Sequence, residues 1–275
     1  AVGLNAFGAG TTGDNNIAIG QTALGTGAVT GHTLIMIGCG TGAAKTNATN
    51  SIAMGTNSQC VGTGGDDNYS FGQGSLQNVT GSCNIGMGIS AGAGVTSGTY
   101  NIALGKAALG VGVVTGADNI AIGTTAAENM TTVSDNILMG RATADAMTTG
   151  ACNIAMGLNA LGEATTGLEN VGIGKGALGV STTGCLNIGI GTGAIGGADT
   201  TGINNTGIGY AAGDALTTGI CNIAIGVNAL GAATTGCFNV GLGSSALGGS
   251  TTGDENVAIG HNAMGGSATT GNDNI

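Results

Sequence analysis

The sequence predicts an all-β fold, a parallel β-solenoid (β-roll) of about sixteen 17-residue coils, from three observations. Gly supplies 60 of the 275 residues, Pro and Trp are absent, and only 7% of the residues are charged. The run Asn-Ile-Ala-Ile-Gly, complete at 16–20, recurs along the chain, and its Gly returns every 16 to 18 residues from Gly3 to Gly260. Within each run, large and small apolar residues alternate as in a strand. The absence of Pro excludes collagen, and the period with so little charge is unlike a disordered chain.

The strand of each coil has one large face and one small face. Large residues such as Ile102 and Leu104 flank a small residue, which is Ala, Gly or Ser in every coil except those with Met36 and Leu138. We expect the large residues to be buried in one column. A small column this regular indicates close approach of another surface, either the opposite wall of the coil or a neighbouring chain. The buried column is expected to include Ile17, Ile102, Ile154 and Ile223.

The rest of each coil returns the chain to the next strand. A second short strand of the type 158–162 is expected after the closing Gly; its third residue is always small, and its fourth is usually Leu, as in Leu161, which gives a third large column. The run Thr-Thr-Gly, as at 148–150, then predicts a turn in which Gly supplies a positive φ. One coil buries too little apolar surface to fold alone, so stacking must stabilise it through backbone and side-chain ladders.

The Asn at the start of each run predicts a ladder of stacked amides, broken only where Leu34 and Ser51 replace Asn. Stacked amides at the coil spacing can satisfy one another and hold the turn. The clearest members of this expected structural ladder are Asn16, Asn101, Asn119, Asn136, Asn153, Asn170, Asn187, Asn222, Asn239 and Asn256.

The repeat resembles two families of attachment proteins. The run Asn-Ile-Ala-Ile-Gly with a following Ala-containing segment resembles the head repeats of trimeric autotransporter adhesins of the YadA type. The fuller pattern Thr-Thr-Gly-x-x-Asn-Ile-Ala-Ile-Gly-x-Asn-Ala-Leu, at 217–230, is similar to repeat arrays of bacteriophage tail fibres. The resemblance covers essentially the whole chain and implies a β-roll of three chains with this strand on the inside. The adhesin repeat is usually shorter, and neither a membrane anchor nor a chaperone domain is present, so the match leaves phage and bacterial attachment open.

Charge and hydropathy exclude several partners. The net charge is −10, with 4 Lys and Arg against 14 Asp and Glu, whereas nucleic acids and anionic membrane surfaces attract clustered Lys and Arg. No apolar run is long enough for membrane insertion. The chain begins and ends partway through a repeat, so we interpret 1–275 as a single repeat domain within a longer fibre protein. The expected location is the virion, as a tail fibre, or the extracellular cell surface.

Few residues of the sequence are candidates for catalysis or for binding a ligand. His32 and His261 lie in distant turns without a partner at fixed spacing, and the Gly-rich run 172–176 lacks the Ser or Thr of a phosphate loop. Nine of the acids occupy the two turn positions before the Asn column, and Asp118 and Asp135 would stack in adjacent coils. Stacked carboxylates repel, which a bound Ca²⁺ could relieve. We expect solvated turns and no cofactor, with Ca²⁺ at the acidic turns as the alternative.

The same two turn positions become apolar between 151 and 238. The odd number of cysteines leaves at least one thiol free or bridged to another chain, and the spacing is wrong for zinc. We interpret this edge as a possible interface stripe against another chain or fibre. Its residues are Cys152, Leu168, Cys185, Leu186, Ile203, Ile220, Cys221, Cys237 and Phe238.

Together these observations predict a non-enzymatic homotrimer that forms the shaft or receptor-binding part of a phage tail fibre and attaches to a cell-surface glycan or receptor. A bacterial surface adhesin or extracellular filament is the alternative. The chains are expected to associate through the small face. Replacing Ala121, Ala155 and Ala224 by Glu should therefore dissociate or unfold the trimer. Ice binding is a further alternative, although adjacent Thr side chains point to opposite faces. A polysaccharide lyase or hydrolase would need a charged cluster in a groove, and only four basic residues exist.

Overall fold

A computed structural model describes residues 1–8, 12–266 and 270–275. It confirms an all-β parallel β-solenoid of about 14 turns, each of about 17 residues, with no helix in the described residues. The residues group into two compact units, Ala1–Asn136 and Ile137–Ile275, which we describe separately.

Every strand has three residues and pairs in parallel with its sequence neighbours inside its unit. Equivalent repeat positions are in register, for example Ile154 with Val171 and Val171 with Ile188. The first copy of the repeat contributes only an isolated bridge from Val2 to Ile19, so fifteen strands form from sixteen copies. The first unit contains β1 (Ile17–Ile19), β2 (Ile35–Ile37), β3 (Ile52–Met54), β4 (Tyr69–Phe71), β5 (Ile85–Met87), β6 (Ile102–Leu104) and β7 (Ile120–Ile122). The second contains β8 (Ile137–Met139), β9 (Ile154–Met156), β10 (Val171–Ile173), β11 (Ile188–Ile190), β12 (Thr206–Ile208), β13 (Ile223–Ile225), β14 (Val240–Leu242) and β15 (Val257–Ile259).

The strands face the opposite way from the expected orientation. The small middle residue of every strand is buried, and Ala121, Ala155 and Ala224 are completely so. The expected burial of the large column is therefore wrong: Ile17 and Ile223 are exposed, and Ile102 and Ile154 are half-buried. The surface that approaches the small column is the opposite wall of the coil.

That opposite wall carries the third large column, whose burial is confirmed. Leu161, Leu178 and Leu230 are fully buried. A Cβ added to Gly189, the middle residue of β11, would lie 3.1 Å from the Leu178 side chain of the preceding coil. The interior is therefore one layer of Leu against Ala or Gly. It is too narrow for two facing columns of large residues.

The expected second strand is absent from the described residues, because these Leu residues lie in turns. Leu161 has φ 51° and Asn159, two residues before it, has φ 54°. Left-handed residues at alternate positions curl the chain and prevent an extended strand. The curl carries the Leu side chain back over the interior.

The two large exceptions in the small column are compensated inside their own coils. Met36 and Leu138 both point inward and are fully buried. Where seven other coils place Leu on the opposite wall, these two coils have Gly42 and Ala144. A Cβ at Gly42 would lie 2.8 Å from the Met36 sulfur, so the volume of the interior is conserved.

Two positions of the repeat favour Gly, for two different physical reasons. The Gly that closes the strand has a φ open mainly to glycine, for example 137° at Gly157. The Gly of Thr-Thr-Gly was expected to have positive φ, and this is wrong for Gly150 and Gly167. Gly150 is needed because a Cβ there would lie 2.4 Å from the carbonyl oxygen of Gly167 in the next coil.

Candidate interaction surface

The first and third residues of the strands form an outward apolar face on each unit. All fourteen outward positions of β1–β7 are apolar, as are fifteen of the sixteen in β8–β15, with Thr206 as the exception. None of these thirty residues is buried in the chain. The most exposed members are Ile17, Ile19, Met54, Tyr69, Phe71, Met87, Ile137, Met156, Ile188, Ile223, Ile225 and Ile259.

The outward face of the second unit is comparable in area to the largest apolar patch on a typical monomer. Coils lie about 4.8 Å apart and alternate strand residues about 6.6 Å apart, so each outward residue covers about 32 Å². The sixteen outward residues of β8–β15 therefore cover roughly 500 Å² of projected area. The largest apolar patch on a typical monomer is about 300–600 Å² and is often functional.

One side of the outward face is bordered by the two residues that precede each ladder Asn, which we call the leading edge. In the second unit it contains the apolar stripe expected from the sequence. Backbone bonds from Leu186 to Leu168 (2.9 Å) and from Phe238 to Ile220 (3.0 Å) stack these residues coil on coil. The whole stripe is solvent-accessible, because Cys152, Leu168, Leu186, Ile203 and Phe238 are exposed and its other members are half-buried.

Backbone conformation makes the bulky members of this stripe unusual. The second residue of the leading edge is left-handed in each described coil, which suits Asn, Asp and Gly. Leu186 (φ 59°) and Phe238 (φ 58°) adopt that conformation while about half of each side chain faces solvent. Neither burial nor backbone preference within the chain explains large apolar residues there.

The other side is bordered by the residue that follows each strand-closing Gly, which we call the trailing edge. Backbone bonds such as Asn228 to Tyr210 (2.9 Å) and Ser245 to Val227 (2.8 Å) link successive coils just beyond it. Lys106, Arg141, Lys175 and His261 all occupy this position, and Lys45 and His32 are the two bases outside it. Sequence reasoning missed this edge, although sorting the basic residues by repeat position would have revealed it.

The Asn side chains form a buried hydrogen-bond ladder. Asn187 illustrates it: its backbone N–H donates to Asn170 Oδ1 (3.0 Å), its Nδ2 donates to the Gly202 carbonyl (2.8 Å), and its Oδ1 accepts from the Asn205 N–H (2.9 Å). The second unit repeats this pattern from Asn153 to Asn256. The ladder therefore holds the leading edge at a fixed spacing.

The Thr-Thr-Gly turns also form a ladder. The first Thr hydroxyl donates to a carbonyl of the next coil, as from Thr165 to Thr182 (3.2 Å) and from Thr234 to Thr251 (3.1 Å). The second Thr, such as Thr166, is exposed. One Thr column is thus engaged with the backbone, and one faces solvent.

The first unit has a polar interior around Lys45. The Lys45 side chain is fully buried and its Nζ donates to the carbonyls of Gly64 and Val79 (3.4 Å to the latter). Burial lowers the pKa of Lys45 from 10.5 to about 8, partly offset by the charge of Asp66. Gln59 occupies the Leu position of its coil and donates through Nε2 to the Asn68 carbonyl and Ser70 Oγ, while its buried Oε1 has no partner.

The acidic residues do not assemble a recognisable ion site. No three His, Cys, Asp or Glu side chains in the described part of the chain are grouped as a metal would require. Burial raises the pKa of Asp145, which lines a groove of about 360 Å³ with Asn159 and Glu163. A hydrogen bond with Asp273 raises the pKa of Glu255 on the leading edge.

The structure also describes the cysteines, the surroundings of His32 and the lengths of the regular elements. All seven cysteines are free thiols. His32 has a neighbour that spacing did not indicate: its Nδ1 accepts the Asp14 N–H (2.9 Å) and lies 3.7 Å from the Asp14 carboxylate. Within residues 1–8, 12–266 and 270–275, the chain has no helix with the length and apolarity needed to cross a bilayer.

Comparison with known proteins adds no relative. No protein-family model, curated protein or solved structure matches this chain. The outward face and its two edges therefore have to be interpreted from their own chemistry.

Proposed function

We propose that this chain is a structural and attachment segment of a fibre, of the kind found in phage tail fibres and bacterial surface adhesins, in which three copies associate through their outward apolar faces. The observation that carries the proposal is the outward face itself. Twenty-nine of its thirty positions are apolar, and none is buried by the chain's own residues. Covering such a face with further copies removes apolar surface from water, which favours association.

The coil architecture supports a structural role. Ladders of backbone, Asn and Thr bonds connect each coil to the next, so stability accumulates along the array rather than in a central core. Side chains in the loop before Thr-Thr-Gly vary between coils, as with the exposed Glu163 and the equivalent Ala232. Such variable, exposed turns are where recognition of a cell-surface glycan or receptor would be placed.

Ice binding receives less support than attachment. An ice-binding face needs two or more columns of free hydroxyls, and the first Thr column already donates to backbone carbonyls. Catalysis on a glycan also lacks a supporting cluster within the described residues.

Strand β13 offers a test with a matched control. Ile223→Glu together with Ile225→Glu changes two outward residues, and Ala224→Glu changes the buried residue between them. We expect the wild-type chain to be a trimer by light scattering and the double variant to be a folded monomer by circular dichroism. The Ala224→Glu variant should lose its fold, because an unpaired carboxylate would be buried. A monomeric wild-type chain, or a double variant that stays trimeric, would contradict the proposal.

A further inference from the structure

The two edges of the outward face carry matched residues in the same coil. The leading-edge residue next to the ladder Asn and the trailing-edge residue lie six positions apart in sequence. In the second unit, Glu169 pairs by coil with Lys175, and Glu255 pairs with His261. The same spacing joins Asp135 and Arg141 in the sequence. Every base on the trailing edge from 141 onward therefore shares its repeat with an acid on the leading edge.

Two coils of the second unit have apolar residues at both matched positions. Cys152 shares its coil with Leu158, and Cys221 shares its coil with Val227, which is 47% exposed. In the coil of Tyr210, which is 60% exposed, the matched leading-edge residue is Asn204, and Leu186 and Phe238 share their coils with Thr192 and Ser244. Lys106, in the first unit, shares its coil with Tyr100 rather than with an acid.

These matched residues do not contact each other within one chain. Glu169 and Lys175 lie at opposite ends of β10 and are both exposed, and the structure records no ion pair between them. The complementarity is therefore unused inside the monomer. Opposite charges at matching levels are the feature expected where one molecule meets another.

We infer that copies of this chain associate side by side, parallel and in register, with the leading edge of each coil against the trailing edge of the same coil in a second copy. Rotation about an axis along the stacking direction leaves the coil level unchanged and brings opposite edges together. Reversing one copy would instead place leading edge against leading edge, so that Glu169 would no longer face Lys175. The inference rests on the self-association proposed above and specifies its seam.

The apolar area of the outward face and the charges on its edges favour a second copy of this chain as the partner that covers them. The outward face and its edges combine a large apolar surface with a complementary border, and both belong to the same chain. Sliding one copy by a single coil would move Lys175 from Glu169 to the level of Cys152 or Leu186. The charged pairs thus select the register, while the apolar face supplies most of the association.

Zero-length carbodiimide cross-linking tests this seam directly. Chains labelled with ¹⁴N and ¹⁵N would be mixed, assembled, cross-linked and analysed by mass spectrometry. We expect an amide between Glu169 and Lys175 in mixed-isotope peptides. Lys175→Arg is the matched control, because it keeps the charge but should abolish the cross-link.

Charge reversal provides the second measurement. Glu169→Lys or Lys175→Glu should each raise the dissociation constant of the assembly at least tenfold at low salt, and the double reversal should restore most of the loss. Monomeric chains would overturn both the seam and the proposed self-association. An assembly whose Lys175 cross-links to other carboxylates, or whose double reversal is no better than the single ones, would overturn the seam alone.

Discussion

The coils between 41 and 79 and the coils between 153 and 256 have different interiors beneath the same exterior. In the first stretch, the buried side chains include Thr41, Lys45, Ser58, Gln59 and Ser75. In the second, the equivalent layer is almost entirely Ala, Gly and Leu. The strands of both stretches nevertheless have buried middle residues and outward apolar neighbours.

Hydrogen bonding explains how the polar interior is tolerated. Ser58 and Ser70 share a bond of 2.6 Å, Ser75 donates to the Gly86 carbonyl (2.8 Å), and Lys45 donates to two carbonyls. A buried polar group that finds a partner costs little net free energy, whereas an unpaired group costs about 1–3 kcal/mol. Gln59 Oε1 is the one buried side-chain oxygen without a partner among the described residues.

The Asn ladder shows the same contrast. It is continuous in the second stretch, but Leu34 and Ser51 interrupt it beside the first. Ser51 partly substitutes, because its Oγ accepts the Asn68 N–H at 3.2 Å. The comparison teaches that the repeat depends on pairing between coils more than on an apolar interior.

Removing a ladder amide from the continuous stretch should have the largest effect. Asn187→Ala leaves the Asn205 N–H and the Gly202 carbonyl buried without their present partners. We expect a loss of about 2–5 kcal/mol in the free energy of unfolding. Asn187→Ser should lose less, because its hydroxyl can accept as Ser51 does. Urea denaturation measures both, and equal losses would show that the ladder has no special role.

The buried Lys45 should make stability depend on pH. Its pKa is about 8 in the folded chain and about 10.4 in an unfolded one. Between these values the unfolded chain binds a proton that the folded chain has released, so raising the pH stabilises the fold. We expect a gain of up to about 3 kcal/mol from pH 8 to 10.5.

Lys45→Met is the control for that titration, because it keeps the length of the side chain and removes the charge. Its stability should lack the component of the rise that Lys45 produces. Identical pH profiles for the two proteins would contradict the assignment.

Making the polar interior resemble the apolar one should have the smallest effect. Gln59→Leu installs the residue that other coils have at this position and removes the unpartnered Oε1. It also removes bonds to the Asn68 carbonyl and Ser70, both of which keep another donor. We expect a change within about 1 kcal/mol. Gln59→Ala, which leaves a cavity, should destabilise more in the same thermal melts.

Much of the candidate surface could be found from the sequence, and one part could not. The apolar stripe from Cys152 to Phe238 follows from repeat position alone, since the period places these residues on one edge. The trailing edge required the same sorting of Lys106, Arg141 and Lys175. That large residues such as Ile223 form the outward face was not deducible from alternation, because a period of two identifies two faces without assigning either to the interior.

The sequence by itself determined the period, the parallel stacking, the Asn column and the burial of the Leu column, because each depends on the recurrence of one residue type at one position. Only the tertiary structure decided which strand face is inside. A coil of about 17 residues with left-handed turns at positions such as Leu161 closes around a single layer of Leu. The wall opposite that layer has room only for a small residue, except where Gly42 or Ala144 replaces Leu, so the large residues that flank it face outward.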